Sequence, residues 1–327
     1  MKRPPALATI PRSPAEAPSR TPPRRPLATL IPRDRRARAG LVLLGSIVLL
    51  ALVGPLFTLD PTAPVAAPLS PPSWAHLLGT TGQGQDVLAQ TLAGARVTLA
   101  VGFTAGLLSV LIGATVGSLA GYLGGWVDDL LSLATNVTLV LPGLPLAVLL
   151  AAWLPPGPIS LVAVLVCTGW AWNARVLRAE VLQLRRRDWV DAARLAGESP
   201  LRIVLVELLP NLRPLLAASL VGATLYNLGA QVGLEFLGLG DPGAVTWGTN
   251  LYWAANDGAL LTRSWWTFVP TGVGVAAVGL ALALLNAGLA GAAGGGAATS
   301  GAAIDTPVVR RRPWYSARGD ERSQEIA

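Results

Sequence analysis

The sequence has very few residues of the kinds that catalytic and metal sites require. Its 327 residues include one cysteine, one histidine and one lysine, Lys2. A disulfide framework or a Cys/His zinc site therefore cannot form within the chain, and His76 would be the sole base available to a Ser-His-Asp triad. A glycine-rich phosphate loop that ends in lysine is also excluded. We expect no enzyme activity, cofactor or metal in this chain.

Charged residues are scarce as well. Only 13% of the residues are charged, 52% are hydrophobic, and the mean hydropathy is +0.53, which is too apolar for an ordinary water-soluble domain. The net charge of +7 is concentrated in a few segments. This distribution argues against a nucleic-acid-binding surface, so we expect membrane lipid and no nucleic acid as a partner.

Six long apolar runs predict an all-α, polytopic membrane protein with six transmembrane helices, since a helix needs about 20 apolar residues to cross a bilayer. Pro142 and Pro145 predict a kink in the third run, and the prolines at 155, 156 and 158 separate the third run from the fourth. The runs lie at about 39–59, 97–123, 130–154, 159–176, 212–234 and 266–290.

The basic residues predict the orientation of these helices, because Lys and Arg are retained on the cytoplasmic side of short loops. Ten lie before the first run, eight lie in the segment 175–213 and five lie after the last run. The three outer loops share only Arg96 and Arg263. Both termini are therefore expected in the cytoplasm.

The predicted organisation has one membrane core flanked by two tails. A basic, proline-rich stretch at the N-terminus predicts a disordered cytoplasmic tail. A cleaved signal peptide ending near Val65-Ala66-Ala67 is a disfavoured alternative, because its apolar run would be too long. The parts are the tail 1–38, a first helix 39–59, an extracytoplasmic loop 60–96, a five-helix core 97–290 with a cytoplasmic loop at about 175–211, and a cytoplasmic tail 291–327.

The cytoplasmic loop carries the most informative motif. It reads Asp191-Ala192-Ala193-x3-Gly197, and Pro210 follows thirteen residues after the glycine. Gly197 is expected to end a short amphipathic helix, and a second short helix should begin after Ser199-Pro200. An interfacial helix that lies on the bilayer with its arginines on lipid phosphate is the alternative interpretation.

This motif resembles the Glu-Ala-Ala-x3-Gly signature of the membrane subunits of ABC importers. The resemblance implies a type I ABC importer permease fold, in which Asp191, Ala192, Ala193, Gly197 and Pro210 belong to a coupling loop that docks on a cytoplasmic ATPase subunit. Asp191 is a shorter carboxylate than the glutamate usual in the family.

The resemblance covers about residues 78–289 and is closest to the permeases of dipeptide, oligopeptide and nickel importers. Thr81, Gln85, Asn136 and Gln231 depart from the acidic or basic residues usual at those positions. Further matching stretches are Leu78-Gly79-Thr80, Gly84, Asp86-Val87-Leu88, Gly94-Ala95-Arg96, the run from Gly121 to Asp128, Phe236-Leu237-Gly238-Leu239-Gly240 and Trp247-Gly248.

The family implies a multi-pass protein of the bacterial inner membrane that forms half of the path for a peptide or a related solute such as nickel. Its implied partners are a second homologous permease, two cytoplasmic ATPase subunits and an extracytoplasmic substrate-binding protein. A self-sufficient secondary transporter is the alternative function. Such carriers usually place ionisable residues deep in several spans, and the span centres here have almost none.

A polar stripe in the fifth span is the candidate translocation path. Asn227, Gln231 and Glu235 are spaced four residues apart on an otherwise apolar helix. Polar groups are costly in lipid, so this face should point into the bundle or a water-filled path. Hydrogen bonding between helices without substrate contact is the alternative, and Glu235 is expected near the outer interface, where water solvates its charge.

Three smaller expectations concern packing. Gly113, Gly117 and Gly121 form a small-residue face on the second span that predicts close helix contact. Cys167 is interpreted as a small buried residue. His76 has no partner pattern and is interpreted as a solvated loop residue.

Overall fold

The computed structural model describes residues 34–298. This part of the chain consists of helices, turns and two isolated β-bridges, both in the outer loop between the first two spans. The helices are α1 (Arg35–Val53), α2 (Val87–Leu123), α3 (Gly125–Val140), α4 (Gly143–Trp153), α5 (Pro158–Leu184), α6 (Asp188–Leu195), α7 (Pro200–Arg202), α8 (Leu209–Asn211), α9 (Arg213–Phe236), α10 (Trp247–Asn256) and α11 (Val269–Ala298).

Six helical segments of the described chain meet the length and apolarity needed to cross a bilayer. Five are single helices, namely α1, α2, α5, α9 and α11, and the sixth is the pair α3 and α4, which is bent by 89°. The six-span, all-α prediction is confirmed when this pair is taken as one span. The break follows from Pro142, which begins a new helix because its ring cannot continue the preceding one.

Several helices are longer than the apolar runs that predicted them. The second span begins at Val87, inside the segment predicted as outer loop, because the Asp86 carboxylate caps the helix by accepting from the Ala89 N–H at 2.9 Å. The helix α1 begins at Arg35, within the predicted tail, and α11 continues to Ala298. The predicted tails otherwise lie outside the described residues, at 1–33 and 299–327.

The helix α2 lies at the centre of the bundle and packs most extensively against α5 and α9. The glycine face on α2 meets α5, as its spacing predicts. A Cβ atom at Gly113 would lie 2.6 Å from the Asn173 Cβ, and one at Gly121 would lie 2.9 Å from the Val181 Cβ. The absence of side chains at these positions lets the two backbones approach closely.

The helix α1 packs along α11, so the first span closes against the last. A Cβ atom at Gly40 would lie 2.6 Å from the Ala281 carbonyl oxygen. At the outer end of α1, the Arg96 guanidinium donates to the Ala51 carbonyl at 2.8 Å and also to the Leu52 carbonyl. Arg96 therefore satisfies carbonyls that have no partner within α1.

Two minor predictions are wrong. His76 is partly buried, and its Nδ1 lies 2.9 Å from Oδ2 of Asp86. This histidine therefore contacts the residue that caps α2. The two residues are ten positions apart in an irregular loop, where no periodic pattern predicts such a contact. Cys167 is exposed on α5 rather than buried.

Candidate functional site

The predicted coupling loop contains α6, a two-turn helix with a well-defined end. Gly197 has φ +80°, a left-handed conformation that favours glycine. The Gly197 N–H donates to the Arg194 carbonyl at 3.0 Å, and the Glu198 N–H donates to the Ala193 carbonyl at 3.1 Å. These two bonds form a Schellman motif, so Gly197 ends the helix as its position in the motif predicts.

One side of α6 is anchored and the other is open. Val190 is 0% exposed and packs with Leu177, Val181 and Ile203 in a cluster formed by the ends of the spans nearest this loop and by the loop itself. By contrast, Asp191, Ala192 and Gly197 are exposed and Ala193 is half-buried. Leu195 is 89% exposed. Three of the motif residues, Asp191, Ala192 and Gly197, are therefore exposed in the structure.

Pro210 lies at the entrance to α9 and explains an unusual turn before it. Residues Ile203–Leu208 form a π-helical turn, in which the Leu209 N–H reaches the Val204 carbonyl. Proline has no N–H and its ring crowds the carbonyl four residues earlier, so the wider turn relieves that contact. The Asn211 side chain donates to the Glu207 carbonyl at 2.6 Å and compensates for part of the disrupted ladder.

Polar contacts connect α6 and α5 to the C-terminal end of α2 and to α3. The Arg194 guanidinium lies over the Tyr122 ring, 5.2 Å from its centroid. Arg178 on α5 donates two hydrogen bonds to Asp128 on α3, at 2.6 and 2.7 Å, and Arg185 donates to the Gly121 carbonyl at 2.9 Å. A displacement of α6 would therefore act directly on the C-terminal end of α2.

The predicted polar stripe divides into two environments. Asn227, Gln231 and Glu235 are all buried, at 1%, 0% and 2% exposed. The Gln231 amide donates to Glu235 Oε1 at 3.0 Å, and the Thr246 hydroxyl donates to Glu235 Oε2 at 2.7 Å. Glu235 is thus enclosed at the start of α10 instead of being solvated at the interface, and that expectation is wrong. Asn227 lines the larger of the two cavities described below, whereas Gln231 and Glu235 are not among its lining residues.

The start of α10 is a structural element that the sequence analysis missed. Thr246 and Thr249 form a reciprocal capping box, and the Trp247 N–H donates to Thr98 Oγ1 on α2 at 3.0 Å. Trp247 is 2% exposed, and its indole N–H donates to the Thr91 carbonyl at 2.9 Å. The Thr-x-x-Thr spacing of this box is the signal that was available in the sequence.

We expect Thr246→Val to destabilise the folded protein by about 1–3 kcal/mol, because the change leaves the Glu235 carboxylate short of one donor and removes the helix cap. The measurement is the thermal unfolding midpoint of the purified chain in detergent. Thr246→Ser is the matched control, since it keeps the hydroxyl. Equal midpoints for the valine and serine variants would contradict the assigned role.

A cavity of about 590 Å³ lies beside the break between α3 and α4. Residues from both sides of the break, from α5, α9 and α11 form its wall. The polar members are Thr138, Thr168, Asn173, Ser219, Tyr226, Asn227 and Asn286. This arrangement agrees with the rule that irregular backbone at membrane depth is buried in protein or lines a cavity.

A second, smaller cavity of about 190 Å³ lies between the outer loop and α10. Gln83, Gln85, Gln90, Asn250 and Asp257 contribute polar groups to its wall. Burial raises the pKa of the Asp257 carboxyl, while hydrogen bonds from the Gln83 side chain and the Gly82 backbone oppose that shift. The outer loop and α10 are therefore connected at this surface.

Comparison with known proteins gives a consistent result. Residues 113–293 match the family model described as the binding-protein-dependent transport system inner membrane component. The chain is 35% identical over 260 residues to a putative peptide transport system permease protein of Brucella abortus, covering 79% of this chain and 86% of that protein. It is 33% identical over 264 residues to a dipeptide transport system permease protein of Bacillus subtilis, covering 79% and 81%.

Proposed function

From the premise that the chain belongs to the family of binding-protein-dependent transport system inner membrane components, we propose that it forms half of the translocation path of an ATP-driven importer. It is a multi-pass protein of the bacterial inner membrane and a permease of the ABC peptide importer type. Proteins of this family are transport components and not enzymes. ATP hydrolysis therefore belongs to separate subunits in this proposal.

The proposed solute is a peptide. Relatives that share about a third of its residues over 79% of the chain are named peptide or dipeptide permeases. The large cavity supports this assignment, because amide and hydroxyl groups suit the hydrogen-bonding groups of peptides. Nickel is the second solute that the resemblance implies, and its uptake should be measured in the same assay.

The geometry of α6 is the observation that carries the proposed assembly. Val190 fixes the helix to the inner ends of the spans, and Asp191, Ala192 and Gly197 remain exposed. We infer that two ATPase subunits dock on this surface and on its counterpart in a second, homologous permease. The arginine-rich loop is then cytoplasmic, as are both termini, and a substrate-binding protein delivers solute to the outer loop and α10.

Affinity purification of the tagged chain from its own membranes in mild detergent tests the assembly. Recovery of an ATPase and a second permease, with peptide uptake that requires ATP after reconstitution, is the expected result. Uptake that instead follows an ion gradient in the absence of any ATPase would favour the self-sufficient secondary carrier. Recovery of the chain alone, with no stimulated ATP hydrolysis by added candidate ATPases, would remove the main support for the importer.

The stripe on α9 provides a prediction within the transport path. Replacing Asn227 by Leu is expected to lower peptide uptake about tenfold, because it removes one polar contact from the path. Glu235 bonds to Thr246 at the start of α10 and Gln231 bonds to Glu235, so replacing either is expected to lower stability as well as transport. The control is the yield of assembled complex, which Asn227→Leu should leave unchanged; unaltered uptake would show that Asn227 does not line the path.

A further inference from the structure

The cavity at the broken span combines three features of a binding site. Its volume, about 590 Å³, lies within the range of about 300–1,000 Å³ typical of small-molecule sites. It adjoins the discontinuity between Val140 and Gly143, where the helical hydrogen-bond ladder stops. Transporters commonly bind solutes where a membrane helix is interrupted, since the backbone there is free of its usual partners.

The polar groups of the wall are neutral. Asn173, Asn227 and Asn286 line the cavity together with hydroxyl-bearing residues, and none of the described residues that line it is charged. A carboxamide offers both a donor and an acceptor, which is the pattern that a peptide group also carries. The wall therefore complements backbone amides and does not discriminate among charged side chains.

Asn227 provides an independent indication of a ligand. It is 1% exposed, yet neither its Nδ2 nor its Oδ1 has a hydrogen-bond partner among residues 34–298. Gly169, which also lines the cavity, lies against this amide, because a Cβ atom there would be 3.4 Å from Asn227 Oδ1, at van der Waals contact. Buried carboxamides are normally paired, and this unpaired one belongs to a residue of the cavity lining.

We propose that this cavity is a transit site that binds a backbone amide of the transported peptide, with Asn227 as a hydrogen-bonding partner. The inference rests on the proposed function, because it takes the solute to be a peptide. Binding through neutral groups alone is weak and independent of side chains, which suits a site that must release its solute.

Gly222 on α9 allows a sharp test, because it lines the cavity and a Cβ atom there meets no atom within 4 Å. Gly222→Leu places a side chain in the cavity without disturbing the packing of the helix. We expect peptide uptake by the assembled, reconstituted complex to fall about tenfold or more, because the leucine side chain would occupy space that the peptide needs, and a tenfold loss of affinity corresponds to about 1.4 kcal/mol.

Gly229→Leu is the matched control, since Gly229 lies on the same helix, also has open space around it and is outside the cavity lining. Parent-like uptake by this variant, with equal recovery of the complex for both, supports the proposal. Parent-like uptake by Gly222→Leu would overturn it. A parent complex that hydrolyses ATP but imports no peptide would instead contradict the proposed function.

Thiol protection measures binding directly. In the complete complex carrying Cys167→Ser and Ser219→Cys, the introduced thiol lies in the cavity wall. Trialanine at twice its dissociation constant should slow alkylation of this thiol about threefold, as expected for simple occupancy. Trisarcosine, which lacks the amide N–H, should protect less. No protection by trialanine at any soluble concentration would overturn the site, and equal protection by both would overturn amide recognition.

Discussion

Replacing Leu195 by Asp is expected to abolish ATP-driven uptake, although the permease itself should remain folded. Leu195 is 89% exposed at the end of α6, so the change removes no internal packing. In the proposed complex this side chain is buried against the ATPase, where an unpaired carboxylate would be strongly disfavoured. The loss of one central apolar contact reduces the free energy of association by about 2 kcal/mol or more, which corresponds to about thirtyfold weaker binding of the ATPase.

The measurement is recovery of the ATPase with the tagged permease, followed by uptake in proteoliposomes. Leu261→Asp is the matched control, because Leu261 is 91% exposed in the turn between α10 and α11, at the opposite end of the spans. The control should retain the ATPase fully. Retention of the ATPase by Leu195→Asp would show that α6 does not form the docking surface.

The contacts of α6 explain why docking there would reach the membrane path. Arg194 packs over Tyr122 at the inner end of α2, and Val190 lies in the same cluster as Leu177 of α5. The helix α5 also provides Thr168 and Asn173 to the cavity wall. Movement of α6 is therefore connected to the cavity through a single helix, α5, without any intermediate loop.

The membrane-spanning architecture follows from composition, because long apolar runs leave the chain few alternatives in lipid. Local signals also predicted the end of α6 at Gly197 and the contact of Gly113, Gly117 and Gly121 with a neighbouring helix. The sharp break at Pro142 was anticipated only as a kink, since the bend angle depends on the helices that pack around it.

Tertiary contacts determined the features that the sequence did not reveal. His76 pairs with Asp86 within an irregular loop, and Glu235 of α9 bonds to Thr246, which precedes α10; no periodic pattern relates the two partners in either pair. The cavity is formed by single polar residues from different helices, such as Tyr226 and Asn286. Within its own span each of these residues is a single polar residue without a motif, and only the packing of the helices brings them to one wall.

A close contact between the backbones of α2 and α5 leads to the second large effect, the loss of folding expected for Gly117→Leu. A Cβ atom at Gly117 would overlap the Ala174 carbonyl oxygen and lie 3.0 Å from the Arg178 backbone nitrogen. These neighbours are backbone atoms of α5 and cannot rotate away as a side chain would. Separating two packed helices is expected to lower the free energy of unfolding by about 3 kcal/mol or more. Such a change shifts the folding equilibrium toward the unfolded state by more than about a hundredfold.

The effect of Gly117→Leu should appear as a large decrease in monodisperse protein after detergent extraction and as a lower unfolding midpoint. Gly45→Leu provides the same chemical change on α1, where a Cβ atom meets nothing within 4 Å. Its yield should match the parent, because leucine is well accepted by helix and lipid alike. The contrast isolates packing from hydrophobicity and helix propensity, so equal yields for the two variants would mean that α2 and α5 can separate without loss of the fold.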